Sequence, residues 1–147
     1  SQDRRMAARM ARIANVSLEE LGRSIFSASA SEDRPVEDLL FTDFKEFHIA
    51  GHFFGVSQIT CVDSPHLLVR KEEFLTVMRR TMEEKGYSMM ILMLTDVLLE
   101  GTQLIYLGDE DTIRQAFNAD VRDNEVFLPK VMSRKKQIIP MLTALWG

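Results

Sequence analysis

The sequence predicts an α/β fold: a mixed central β-sheet with helices on both faces, led into by a helical segment. Three observations carry that expectation. Stretches with the two-residue alternation of strands alternate along the chain with stretches of helical spacing. Residues 88–99 are nearly all apolar, as expected of a central strand covered on both sides. Gly51, Gly86 and Gly101 stand between these stretches, where turns and helix ends need them.

Taken in order, residues 3–14 set Met6, Met10, Ile13 and Ala14 at helical spacing among arginines, the pattern of an amphipathic helix. Ser17 and Glu20 have capping-box spacing, and Leu18, Leu21 and Ile25 extend one apolar stripe into a second short helix. Residues 27–35, rich in serine, alanine and charge, read as a loop. The segments 44–49 and 53–62 are strand-like and flank a turn at Gly51, so a hairpin is the economical reading. Pro65 suits the first turn of a long helix running to Lys85, with Phe74, Met78 and Met82 on its inner face and Gly86 at its end. After the apolar strand, Gly101 marks a turn and residues 103–107 a further strand. Asp109, Glu110 and Asp111 then open a short helix carrying Ile113, Ala116 and Phe117, with acids where the helix dipole favours them.

A chain of 147 residues that is 46% hydrophobic can bury one good core, so a single compact domain is expected. The longest uninterrupted apolar run, residues 89–94, is strand-sized and far short of the roughly eighteen residues of a membrane span. Arg4, Arg5, Arg9 and Arg12 are not followed by an apolar run, so no signal peptide is expected. Cys61 is the sole cysteine; no intrachain disulfide can form, and the chain reads as cytoplasmic. A net charge of −4 argues against general nucleic-acid binding, which needs a broad basic surface to release counterions. Any anion site must be local.

One local candidate stands out, the run Ser133-Arg134-Lys135-Lys136-Gln137. Its three cations precede the apolar segment 138–146, at the end of a helix where the dipole disfavours positive charge by about 0.3–1 kcal/mol each. Either Ser133 caps a helix bent near Pro140, or residues 133–137 form a loop and Pro140 lies near the first helical position. Gln137 is one residue too late for a capping box with Ser133. In both geometries the cations lie near a helix N-terminus, whose N–H groups add donors for an anion. Arginine offers a planar fork to two oxygens and lysine a compact charge, a combination suited to phosphate. A solvated basic patch is the competing reading, and spacing alone does not separate the two.

Other chemistry-bearing residues read as structural. His48 and His52 are an i, i+4 pair only if their segment is helical, which Gly51 and the strand pattern oppose; with His66 they are not expected to hold a metal. Asp96, at the end of the apolar strand, suits a turn or capping role. The methionines read as core filler and Cys61 as a small buried residue.

The segment 131–140, Val-Met-Ser-Arg-Lys-Lys-Gln-Ile-Ile-Pro, resembles the C-terminal signature of family II inorganic pyrophosphatases, manganese-dependent enzymes of the DHH phosphoesterase superfamily. Asp43-Phe44-Lys45-Glu46-Phe47 resembles a second segment of the same C-terminal domain, called DHHA2. Residues 94–98, Leu-Thr-Asp-Val-Leu, and the Leu128-Pro129 lead into the basic run add weaker matches, so the likeness covers most of residues 13–145.

This resemblance implies that Lys45, Arg134 and Lys135 contact pyrophosphate, with Lys136 and Gln137 less directly placed. On residues alone, Lys45 alternates onto the side of Phe47 and Ile49 and reads sooner as a lysine snorkelling from an apolar face; the resemblance turns the reading to ligand contact. In the family, manganese, or cobalt or magnesium, is bound by an N-terminal DHH domain through aspartates and histidines that include an Asp-His-His triplet. No such triplet occurs in this chain. The implied arrangement is a linker helix at residues 1–14 joining a DHH domain to a substrate-binding domain at residues 15–147. The full-length form is a candidate homodimer, and the domain alone is expected to be inactive. A related DHH exopolyphosphatase and a non-catalytic anion- or nucleotide-binding module are the competing expectations.

Overall fold

The computed structural model describes residues 18–20, 22, 23, 25 and 32–147. The expected linker helix at 1–14 and the Ser17 cap lie outside the described residues. Residues 18–20, 22, 23 and 25 are helical, as the apolar stripe predicts.

The element order is α1 (Val36–Thr42), β1 (Phe44–Ile49), β2 (His52–Cys61), α2 (Ser64–Leu68), α3 (Lys71–Lys85), β3 (Met89–Asp96), β4 (Gly101–Leu107), α4 (Glu110–Phe117), β5 (Glu125–Pro129), a π-helical turn (Arg134–Ile138) and α5 (Ile139–Trp146). The five strands lie in the sheet in chain order. Among the described residues only β2 and β3 are parallel; their crossover runs through α2 and α3, and the other pairs are antiparallel. The sheet is therefore mixed, as expected.

Period-two alternation divides the core into two layers. Met90, Leu92 and Leu94 of β3 point to a layer shared with Val36, Leu39 and Leu40 of α1, Leu67 of α2, and Phe74, Leu75 and Met78 of α3. Met89, Ile91 and Met93 point the other way, against Ile113 of α4, Val126 and Leu128 of β5, and Ile138 and Leu142 at the C-terminal end. Every residue of β3 is buried, which explains its lack of polar alternation. Among the described residues no helix is long and apolar enough to cross a membrane.

The expected hairpin forms with Ile49 opposite His52. Ala50 and Gly51 both have positive φ, as a two-residue type I′ turn requires. Gly86 closes α3 in the left-handed conformation, its N–H bonded to the Met82 carbonyl.

Two expectations are corrected. The long helix at 65–85 is two helices, because the Asp63 carboxylate caps α2 at His66 N–H and the chain breaks at Arg70 before α3 starts. Arg70 uses that break to donate to the carbonyls of Glu32 and Arg34. Gly101 is the first residue of β4 rather than a turn; residues 97–100 make the turn, with Glu100 at positive φ. Asp96 closes it, accepting from Leu98 and Leu99 N–H through one oxygen and from Ser64 N–H through the other. That is the turn and capping role expected of it. Helix α1 and strand β5 were not anticipated from the sequence.

Candidate anion site

The basic run sits on a short segment held on all sides. Pro129 ends β5, and Lys130 takes a left-handed φ of 64° with its N–H on the Glu100 carbonyl. The Val131 carbonyl accepts from the Thr102 hydroxyl, and the Met132 carbonyl accepts from Gln58 Nε2 at 3.0 Å. Gln58 and Thr102 are tied together through Thr95, which accepts from Gln58 and pairs with the Thr102 hydroxyl at 3.1 Å. Three adjacent strands, β2, β3 and β4, thus contribute one polar side chain each to hold residues 131 and 132.

From that base the chain enters the π turn. Ser133 is its N-cap, with Oγ accepting from Lys136 N–H at 2.9 Å. The Ser133 carbonyl accepts from Ile138 N–H at 3.1 Å, a five-residue step, and the Arg134 carbonyl accepts from Ile139 N–H. Pro140 then lies in the first turn of α5. A proline ring clashes with the carbonyl four residues before it, and widening the preceding turn by one residue relieves that clash. The two geometries left open by the sequence are therefore combined: Ser133 caps, and Pro140 opens the following α-helix.

The extra residue also changes the role of Gln137. Its Oε1 accepts from Met132 and Ser133 N–H at 2.8 and 3.0 Å, and its Nε2 donates to the Lys130 carbonyl at 3.1 Å. Gln137 thus supplies to Ser133 N–H the side-chain acceptor that a capping box draws from one position earlier, while Ser133 Oγ accepts from Lys136 N–H.

Arg134 begins the π turn and is buried, with 7% of its side chain exposed. Its guanidinium crosses to the start of β1. Nη1 donates to the carbonyls of Asp43 and Val56, each at 3.1 Å, and Nη2 donates to Asp43 Oδ1 at 2.6 Å. The Asp43 carbonyl also accepts from Gln58 N–H, so the residue before β1 is fixed from two directions. Sequence reasoning placed Asp43 in a motif but did not pair it with Arg134.

A pocket of about 280 Å³ opens between β1 and the π turn, lined by Lys45, Phe47, Arg134, Lys135 and Ile139. Lys45 reaches it because β1 alternates Lys45 and Phe47 onto one face, where Phe47 stacks on Phe54. Three of the predicted site residues are thereby brought together from opposite ends of the chain. Lys136 is exposed and does not line the pocket; Gln137 supports the turn from behind. Among the described residues neither Lys45 nor Lys135 has a carboxylate partner, whereas Arg134 has Asp43. The pocket wall thus carries two lysine charges without a partner beside a partly satisfied guanidinium, a field suited to a compact polyanion.

The remaining polar groups lie elsewhere. His48 packs its ring on Phe53, and His52 stacks on Trp146 with centroids 4.0 Å apart. Burial, reinforced by Asp96, pushes the Cys61 thiol up to about 12. Burial followed by the hydrogen bond to Glu46 raises the Tyr87 hydroxyl, and burial with Glu110 does the same at Tyr106. Among the described residues no three His, Cys, Asp or Glu side chains converge as a metal site, so no residue here is assigned as a manganese ligand.

The chain is 37% identical over 145 residues to a probable manganese-dependent inorganic pyrophosphatase of Lactobacillus helveticus, covering 96% of this chain and 47% of that one. It is 36% identical over 146 residues to a cobalt-dependent inorganic pyrophosphatase of Clostridium perfringens, covering 98% of this chain and 27% of that one. A crystal structure from Methanococcus jannaschii, described as a family II inorganic pyrophosphatase, superposes with a TM-score of 0.81 at 31% identity over 98% of this chain and 48% of that one. The chain spans about half the length, or less, of the relatives it matches. Residues 23–145 match the DHHA2 domain, and the chain belongs to that family.

Proposed function

We propose that this chain is the substrate-binding C-terminal domain of a manganese-dependent inorganic pyrophosphatase, which hydrolyses pyrophosphate to two phosphates. The observation that carries the reading is the convergence of Lys45, Arg134 and Lys135 on one pocket wall. Relatives named as manganese- and cobalt-dependent inorganic pyrophosphatases support it. In such an enzyme the metals, held by the other half of the polypeptide, supply the activated water.

Within this chain the work is electrostatic. Pyrophosphate carries roughly three to four negative charges, more than one cation neutralises. As water adds to one phosphorus and the bridging P–O bond breaks, charge spreads over the equatorial oxygens and the departing phosphate. Cations fixed in advance lower that barrier without reorganising during the reaction. Lys45 and Lys135 act as compact charges, and Arg134 supplies a planar fork held in place before substrate arrives. Phe47 and Ile139 keep one side of the pocket apolar, which strengthens each interaction by limiting water.

On this reading the domain is inactive alone, because among the described residues no cluster of metal-ligating side chains converges to generate the nucleophile. The test is phosphate release from pyrophosphate with manganese present. The complete protein turns over and this chain by itself does not. Turnover by the isolated chain at a rate typical of a whole enzyme refutes the reading. Faster cleavage of tripolyphosphate than of pyrophosphate by the complete protein assigns the exopolyphosphatase alternative instead.

A further inference from the structure

The Arg134 guanidinium has five N–H groups, and the structure accounts for three of them. Both hydrogens of Nη1 are used, one on the Asp43 carbonyl and one on the Val56 carbonyl. One hydrogen of Nη2 is used on Asp43 Oδ1. Asp43 therefore occupies the end of the guanidinium between Nη1 and Nη2. Among the described residues, what remains is the Nε–H and the second Nη2–H, which lie side by side on the other edge. That edge is a two-pronged fork matched to two oxygens of one phosphoryl group.

We propose that Asp43 is a positioning residue whose carboxylate locks the Arg134 guanidinium so that its Nε/Nη2 edge is presented to one phosphoryl group of the substrate. The inference rests on the pyrophosphatase reading above and adds a role to a residue outside the basic wall. Asp43 touches no substrate in this account; it acts through Arg134. Its position favours the task. It sits between α1 and β1, two residues before Lys45, and its carbonyl is also bonded to Gln58 N–H, whose side chain holds the Met132 carbonyl below the π turn. The same short segment therefore sets the register of Lys45 and the orientation of Arg134.

Two simpler roles make different demands. If Asp43 mattered only as a nearby negative charge, removing it would relieve repulsion toward an anionic substrate and lower KM. If it served only fold stability, its removal would lower Tm and would act the same whether or not Arg134 were present. A positioning role predicts a loss in kcat that depends on Arg134, because a misplaced fork forfeits interactions made in the transition state.

The experiment is a double-mutant cycle in the complete protein, with kcat, KM and Tm measured for Asp43→Asn, Arg134→Ala and both together. Asp43→Asn is close in shape and keeps the backbone acceptor, so the fold is retained. Arg134→Lys serves as a second background that keeps the charge and removes the fork. The expected result is a fall in kcat of about tenfold to a hundredfold for Asp43→Asn without a rise in KM. In either Arg134 background the same change then costs under about twofold. An equal loss in all backgrounds, or an unchanged kcat with hydrolysis intact, overturns the positioning role and leaves the pyrophosphatase reading standing. Failure of the unsubstituted protein to hydrolyse pyrophosphate overturns both.

Discussion

Ser133 and Gln137 are bonded to each other in both directions: Gln137 Oε1 accepts from Ser133 N–H at 3.0 Å, and the Ser133 carbonyl accepts from Gln137 N–H at 3.2 Å. Closing this pair around one π turn places Arg134 and Lys135 toward the pocket and Lys136 away from it. The basic run is thus not a uniform patch, and its members should fail differently when replaced.

Gln137→Ala removes the partner of the Met132 and Ser133 N–H groups and of the Lys130 carbonyl. The expected loss in unfolding free energy is about 1–3 kcal/mol, read by urea denaturation. Gln137→Glu retains the acceptor and loses only the donor, so it should fall between Gln137→Ala and the unsubstituted chain.

Lys45→Ala and Lys135→Ala should leave stability within about 0.5 kcal/mol, since both side chains are exposed and neither is paired among the described residues. Each should lower turnover of pyrophosphate by the complete protein by on the order of a hundredfold, the scale of losing one preorganised electrostatic contact. Lys136→Ala should cost much less. Steady-state kinetics on the three variants checks the ranking.

Cys61 is buried and its thiol is raised to about 12. A raised folded-state value means the folded chain holds its proton more tightly than the unfolded chain. The stability this confers is complete below the ordinary thiol value and declines as pH rises from there toward 12. Native chain at pH 8 should therefore resist alkylation by iodoacetamide, while chain in denaturant reacts fully. Urea midpoints should fall at pH above about 9, and less so for Cys61→Ala.

His52 stacks on Trp146, with an interplanar angle of 12°, and Phe54 meets the same indole edge-on. Because Trp146 is the sole tryptophan, its emission reports the end of α5, the helix that begins at the pocket residue Ile139. His52→Ala should shift that emission to longer wavelength as water reaches the ring. The shift should occur without loss of the hairpin in far-ultraviolet circular dichroism.

Much of this architecture was legible because it rests on local patterns. The all-apolar β3, the Gly51 turn, the Gly86 cap and the acid-led α4 each follow from periodicity or backbone freedom. The misses share a physical cause. Strand β5 alternates over only five residues, and α1 lacks a side-chain cap, so neither offers a strong local signal. The break between α2 and α3 is stabilised by carbonyls of residues 32 and 34, distant in sequence. Lys45, Arg134 and Lys135, singled out by motif resemblance, line one pocket, but the Arg134–Asp43 pair spans 91 positions and exists only once β1 and the π turn meet. Nothing in the sequence joins Gln58, Thr95 and Thr102; only the sheet register aligns them beneath the basic run.

The proposed division of labour has this domain grip pyrophosphate while another part of the polypeptide cleaves it. Its most direct measurement is Arg134→Ala in the complete protein, with pyrophosphate turnover and bound manganese determined on the same sample. The account predicts a large fall in turnover, of at least about a hundredfold, with manganese content unchanged. Unchanged turnover, or a loss of turnover accompanied by a matching loss of metal, contradicts it.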